Sequence, residues 1–76
     1  MAERIELYGT RSCAFTAQAR ERLLWEGRAF VEYDVETDTE ALGRMLELTS
    51  GRRTVPVVVE DGRVTHIGWR GRGCQV

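Results

Sequence analysis

The fold is decided by residues 8–16, YGTRSCAFT. This segment is typical of a buried strand that ends in a short turn and a cysteine and is followed at once by a helix. At the start of a helix the backbone N–H groups are unpaired and the dipole is positive, and both stabilise a thiolate. Cys13 is therefore expected to be more acidic than a free cysteine, and reactive for that reason. The alternative is a buried cysteine with no chemical role.

The composition of the chain is that of one small globular domain. Its 76 residues are 42% apolar and 30% charged, and the net charge of −1 provides no basic surface for nucleic acid. No apolar run is long enough for a signal peptide or a membrane span. We therefore expect a cytoplasmic protein. Residues 1–76 are expected to form a single domain, and the protein is expected to be a monomer. In that compartment two cysteines are more often reactive or metal-binding than structural, and with one histidine their spacing does not fit a zinc site.

Apolar periodicity and turn residues predict the order β-α-β-α-β-β. Strands are predicted at 5–8, 30–35, 57–59 and 63–67, and helices at 13–26 and between a Thr37–Glu40 capping box and Gly51. The apolar run 57–59 suits a strand covered on both faces, and Asp61-Gly62 indicates a two-residue hairpin. Two βαβ-like crossings into one sheet imply a two-layer or three-layer α/β domain. Residues 68–76 have too much glycine for a stable helix and are predicted to be an irregular tail.

Four segments of the chain resemble a glutaredoxin, the small glutathione-linked branch of the thioredoxin fold. They are CAFT at 13–16 after the first strand, GRRTVP at 51–56 before the third, the Asp61-Gly62 hairpin and HIG at 66–68. These segments stand in the family's order, and the resemblance covers residues 4–68. Cys-x-x-Thr followed by Thr-Val-Pro is a fairly specific pair. The resemblance implies an α/β thioredoxin fold with a shortened C-terminal tail in place of the family's last helix.

The resemblance also implies an enzyme, a thiol–disulfide oxidoreductase. The Cys13 thiolate would attack a glutathione mixed disulfide or a protein disulfide. Thr16 stands where many members have a second cysteine; its hydroxyl either donates to the thiolate or is simply part of the first helical turn. Arg11 could add a positive charge near the sulfur. The layout is similar to short glutaredoxin-like proteins, some of which carry selenocysteine at the position of Cys13.

On the substrate side, the resemblance implies a cis Val55–Pro56 bond that faces Cys13 and leaves the Val55 backbone free to pair with an extended substrate. Arg52 or Arg53 would reach the glycine carboxylate of glutathione; otherwise both are solvated surface residues. The remaining substrate-binding candidates are Thr54, Gly68 and Trp69. The family's acidic group for the amino end of glutathione has no counterpart here. Glutathione is nevertheless the expected co-substrate, with a disulfide-containing protein and a reductase as partners and no tightly bound cofactor or metal.

The tail cysteine, Cys74, is expected to resolve the mixed disulfide formed at Cys13. It lies six residues past Gly68, so its tether spans at most ~20 Å and could fold back. A bridge needs the two Cα atoms within ~4.4–6.8 Å. The alternative is a frayed tail whose cysteine has no role.

Two other functions stay open at this point. One is a glutathione-dependent iron–sulfur carrier, which is weakened because Ala14 replaces the glycine found in such members. The other is a non-enzymatic binding module that has kept the thioredoxin fold.

Overall fold

The computed structural model describes residues 4–76, so residues 1–3 of the predicted domain lie outside the described part. The elements are β1 Ile5–Gly9, α1 Ala14–Trp25, β2 Val31–Asp34, α2 Thr39–Leu48, β3 Thr54–Val55, β4 Val57–Glu60, β5 Arg63–Ile67 and β6 Cys74–Gln75. The six predicted elements are confirmed, with ends that differ by a few residues. Two short strands, β3 and β6, were not predicted. In the described residues no helix is long and apolar enough to cross a bilayer.

Four of the strands form one sheet in the order β2-β1-β4-β5. β2 is parallel to β1, as the first βαβ crossing predicts, but β4 is antiparallel to β1. The prediction of a second such crossing is therefore wrong. The reason is where the chain returns after α2: Val57 pairs with Tyr8, at the end where β1 finishes, so β4 leaves in the opposite direction. This entry point also brings the segment before β4 to the sheet end at which Cys13 lies.

The two helices lie on opposite faces of this sheet, which gives three layers. Along β4 the side chains alternate between faces, as expected for a strand. Val58 packs with Ala19 and Leu23 of α1, whereas Val57 and Val59 pack in the cluster that includes Met45 of α2. All three valines are buried, so the prediction of a strand covered on both faces is confirmed.

The start of α2 differs from the predicted capping box. Asp38 is the N-cap, and its carboxylate accepts a hydrogen bond from the backbone N–H of Ala41 at 3.0 Å. The hydroxyl of Thr37 instead donates to the main-chain oxygen of Asp34 at 3.3 Å. The helix thus begins one residue later than the box would place it: a cap at Thr37 would accept from the N–H of Glu40, whereas the Asp38 carboxylate accepts from that of Ala41.

The tail, predicted to be irregular, ends in a strand. β6 pairs antiparallel with β3, with Cys74 opposite Val55 and Gln75 opposite Thr54. The chain reverses through Gly68 and Gly71, both at positive φ, to reach this position. Glycine content correctly argues against a helix, but it does not exclude two residues from pairing with an open strand edge.

Candidate active site

Cys13 occupies the position predicted from the sequence, immediately before α1. It is the N-cap residue, with extended backbone angles, and its main-chain oxygen accepts from Ala17 N–H at 3.2 Å. Its own N–H donates to the main-chain oxygen of Thr10 at 3.3 Å, which closes the turn between β1 and α1. The cysteine side chain makes no capping hydrogen bond and is only 3% exposed. Cys13 therefore stands at the N-terminus of a twelve-residue helix, and in the disulfide form its sulfur makes no hydrogen bond to the first N–H groups.

A disulfide joins Cys13 to Cys74. The two Cα atoms are 6.1 Å apart, although the residues are separated by 61 positions in the sequence. The structure thus brings together the predicted nucleophile and the predicted resolving cysteine, and the tail is held against the rest of the domain.

The tail around Cys74 lies along β3, the edge that was predicted to receive an extended substrate. Besides the β3–β6 pairing, the N–H of Val76 donates to the main-chain oxygen of Arg53 at 2.9 Å. The Arg53 guanidinium donates in return to the main-chain oxygen of Val76 at 2.6 Å. The side-chain amide of Gln75 donates to the Thr54 hydroxyl at 3.0 Å. The tail therefore uses backbone and side-chain groups along the whole of 53–55.

The next residue, Pro56, fixes the end of this edge nearest β4. The Val55–Pro56 peptide bond is cis, and both residues are buried. The main-chain oxygen of Pro56 accepts from the N–H of Gly68 at 2.7 Å, which places the start of the tail beside the same segment.

The family model for glutaredoxins matches residues 5–65. The chain belongs to the glutaredoxin family. Two proteins of Synechocystis sp., both named as probable glutaredoxins, are similar to it. The first is 36% identical over 55 residues, which cover 72% of this chain and 50% of the relative. The second is 32% identical over 68 residues, which cover 90% of this chain and 75% of the relative. The chain spans about half the length of the first of them.

Solved structures place this glutaredoxin in the thioredoxin fold. A crystal structure of a mutant of a thioredoxin-like protein superposes with a TM-score of 0.77 at 32% identity, covering 87% of this chain and 82% of that one. Glutaredoxin 1 of Francisella tularensis superposes with a TM-score of 0.68 at 19% identity, covering 90% and 85%. The predicted family and fold are therefore confirmed.

Thr16 supports the turn that carries the cysteine. Its side chain is fully buried, and its hydroxyl accepts from the backbone N–H of Thr10 at 3.5 Å, a long hydrogen bond. It packs so closely on Gly9 that a Cβ there would lie 2.2 Å from the Thr16 methyl carbon. The predicted bond from the Thr16 hydroxyl to the Cys13 sulfur is not among its contacts in the disulfide form. Its role in this form is to hold the β1–α1 turn.

The other predicted site residues divide into two groups. The first group, which we call the tail groove, lies along or beside the tail and consists of Arg53, Thr54, Val55, Pro56 and Gly68. The second group is exposed in loops: Arg11 in the turn between β1 and α1, and Arg52 between α2 and β3. Trp69 lies elsewhere: it packs with the apolar cluster on the α1 side, and its ring centroid is 5.2 Å from that of His66. The structure thus does not bring Trp69 into the cluster around Cys13.

Two residues of the tail, Gln75 and Val76, contact Thr54 and Arg53 and were missed by the sequence reasoning. They follow Cys74 in an alternation of apolar and polar residues, C-Q-V, which is the pattern of a strand. Three residues are too short a run for that pattern to be distinctive, so the available signal was weak.

The apolar cluster that contains Cys13 also contains one of a pair of stacked tyrosines. Tyr8 belongs to the same buried cluster and stacks on Tyr33, with ring centroids 5.1 Å apart. Burial raises the pKa of Tyr8, an effect that the nearby Arg44 guanidinium opposes, so the phenol remains neutral. Among the described residues its hydroxyl has no partner with full hydrogen-bond geometry, and the Arg44 guanidinium acts on it without such a bond. Within residues 4–76 no group of three or more His, Cys, Asp or Glu side chains is arranged to hold a metal ion.

Proposed function

We propose that this glutaredoxin is a thiol–disulfide oxidoreductase in which Cys13 is the nucleophile and Cys74 the resolving cysteine. The observation that supports the proposal is the bond between these two residues, at the start of a helix and beside the segment 53–56. Family membership supports the class of reaction. The choice of Cys13 and Cys74 as the two reacting cysteines rests on the bond between them in this chain and not on the family.

The proposed cycle begins with the reduced protein. The Cys13 thiolate attacks one sulfur of a substrate disulfide, forms a new sulfur–sulfur bond with it, and releases the other half of the substrate as a thiolate. The Cys74 thiolate then attacks the Cys13 sulfur and releases the bound half as a second thiolate. Two electrons have passed to the substrate, and the protein is left with the Cys13–Cys74 disulfide. Two molecules of an external thiol, which we propose is glutathione, return two electrons as they are oxidised to their own disulfide, and both cysteine thiols are regenerated.

The helix start supplies the reactivity that the first step needs. Cys13 is the N-cap residue of α1, and in the reduced protein the unpaired N–H groups and positive dipole end at such a position lower the pKa of a thiol by stabilising its anion. No separate base is then required. Because thiolate exchange is faster when a larger fraction of the thiol is ionised, the position of Cys13 favours it over Cys74 as the attacking group.

The tail and the substrate use the same edge. The backbone of Val55 pairs with Cys74 in the disulfide form, so an extended substrate can occupy this edge only after the tail has left it. Gly71 and Gly73 give the tail the backbone freedom to leave and return. Arg53, which binds the main-chain oxygen of Val76, would then be free to bind the carboxylate of glutathione.

The proposal is tested by the intact mass of the protein after treatment with oxidised glutathione. The wild type is expected to end as the internal disulfide, whereas Cys74→Ser stops at a glutathione adduct on Cys13. Cys13→Ser is the matched control and is expected to form an adduct far more slowly. If the wild type and Cys74→Ser accumulate the same adduct, Cys74 does not resolve the intermediate. If Cys13→Ser reacts as fast as Cys74→Ser, Cys13 is not the activated thiol.

A further inference from the structure

The first part of the tail is a tight hairpin. The N–H of Trp69 donates to the main-chain oxygen of Arg72 at 2.5 Å, and the N–H of Arg72 donates to that of Trp69 at 3.0 Å. The two residues between them, Arg70 and Gly71, have φ values of 52° and 78°. Positive φ at both central residues is characteristic of a type I′ turn, whose twist suits two paired strands. The chain from 69 to 72 is therefore folded on itself and is not a free tether.

The ring of Trp69 attaches this hairpin to the α1 side of the sheet. It packs with the apolar cluster that includes Leu23 of α1 and Val58 of β4, whereas Cys13 belongs to the cluster that includes Met45 of α2. A hairpin of four residues is marginal in water by itself. Its stability in this protein therefore depends on the packing of the Trp69 ring.

The contacts of the hairpin do not involve either cysteine. Its two hydrogen bonds lie within residues 69–72, and its anchoring ring packs on β4 and α1. Gly73 alone joins the hairpin to β6, and a Cβ at this position would lie 2.6 Å from the main-chain oxygen of Val55. When the disulfide is reduced, residues 73–76 can move while the hairpin keeps its contacts. Cys74 is then two residues from a fixed point, a reach of at most ~7 Å.

We infer that Trp69 is a positioning residue for the resolving step, because it holds the hairpin that keeps Cys74 near Cys13 after reduction. The inference rests on the proposed function, in which the Cys74 thiolate forms a bond with the Cys13 sulfur and the bound half of the substrate leaves as a thiolate. A group already held near its target loses less conformational freedom on reaching it, which raises its effective concentration. Trp69 thus acts on resolution although it lies in the other apolar cluster.

The test measures three quantities for each variant of the full chain, with oxidised glutathione as the substrate. The first is the effective concentration of the two thiols, which is the equilibrium constant for oxidised glutathione and reduced protein giving two glutathione and the Cys13–Cys74 disulfide. The second is the rate at which the Cys13 adduct becomes the internal disulfide, followed by intact mass after acid quenching. The third is the rate of adduct formation, measured with Cys74→Ser in place. Circular dichroism shows whether each variant is folded.

Trp69→Ala is expected to lower the effective concentration and the resolution rate at least about tenfold, because Cys74 then starts from a flexible chain. Trp69→Phe keeps an apolar ring and is expected to retain at least about a third of each. Adduct formation on Cys13 is expected to change less than about twofold in both variants, because the attacking thiol does not depend on the tail. A purely structural role would destabilise the oxidised and reduced forms alike and leave the effective concentration unchanged.

Gly71→Ala tests the turn without removing a contact. Among the described residues no atom lies within 4 Å of a Cβ at this position, so only the φ of 78° opposes a side chain. The variant is expected to lower the effective concentration at least about twofold. Gly62→Ala is the matched control, because Asp61 and Gly62 have nearly the same pair of φ values, 52° and 80°, in the β4–β5 hairpin. It is expected to leave the effective concentration unchanged.

An unchanged effective concentration in Trp69→Ala overturns the inference, and the same result in Gly71→Ala does so if Trp69→Ala does not fold. In both cases the proposed function stands as long as the wild type still forms the internal disulfide. Adduct formation that slows as much as resolution would show that Trp69 acts on the fold around Cys13, and a loss in Gly62→Ala equal to that in Gly71→Ala would show a general effect of stability. Either result also overturns the inference. If the wild type itself stops at the glutathione adduct, the proposed function fails.

Discussion

Breaking the Cys13–Cys74 disulfide is expected to lower the free energy of unfolding by about 4 kcal/mol. The bond closes a loop of 61 residues, and the chain-entropy model gives about that value for the freedom the unfolded chain regains when such a loop is opened. A domain of 76 residues has a total stability of about 4–11 kcal/mol. The reduced protein is therefore expected to keep only part of the stability of the oxidised one.

Urea unfolding followed by circular dichroism measures this difference. Three samples are compared: the oxidised wild type, the wild type with excess reductant, and Cys74→Ser with the same reductant. The last two are expected to agree within about 1 kcal/mol, because neither contains the cross-link and serine is close to cysteine in size. The oxidised wild type is also expected to have the lower m-value, since its unfolded state is more compact and exposes less surface.

Two results would refute this reasoning. The first is a difference of less than about 1 kcal/mol between the free energies of unfolding of the oxidised and the reduced wild type. That result would mean either that the loop is already restricted in the unfolded reduced chain, or that an unfavourable enthalpy of the native bond cancels its entropic gain. A reduced wild type much less stable than Cys74→Ser would mean that the free thiol, rather than the lost cross-link, is destabilising. In either case the tail could not be treated as a simple entropic tether.

Two further predictions concern the turn under Cys13 and the acid stability of the domain. Gly9→Ala is expected to destabilise the protein by about 1–3 kcal/mol, because the new Cβ would overlap the Thr16 side chain. The double variant Gly9→Ala/Thr16→Ala is expected to recover part of that loss in urea unfolding. Strictly additive effects of the two substitutions would contradict the contact. The pKa of Glu60 is held below its ordinary value of 4.5 chiefly by the hydrogen bond from Arg28. Its contribution is therefore complete above that value and is lost as the pH falls through the lowered pKa, so Glu60→Gln is expected to flatten the decline of melting temperature between about pH 5 and about pH 3. An unchanged slope would show that other carboxylates set the acid stability.

The elements that could be predicted from the sequence are those specified by local signals. Gly9 and Cys13 mark the end of a strand and the start of a helix, and the run 57–59 shows a strand buried on both faces. The direction of β4 could not be read in this way, because it depends on where the chain re-enters the sheet after α2, and that is decided by packing. The capping residue of α2 was misplaced by one position for a related reason: Thr37 and Asp38 are both good caps, and only the backbone geometry decides between them.

In the candidate site, too, the sequence indicates what a residue can do but not where the fold places it. The reach of the tail and the helix start at Cys13 allowed the pair with Cys74 to be predicted, but neither gave the register on β3. That register follows from contacts that are individually weak, such as the two-residue ladder and the bond from Gln75 to Thr54, and that add up only when the tail is already close. Gly73 illustrates the consequence. In the sequence it reads as one more flexible glycine, yet in the structure it is the residue whose missing side chain lets Cys74 reach Val55. A flexible tail would tolerate alanine at position 73; a tail that fits the groove as closely as this one does not.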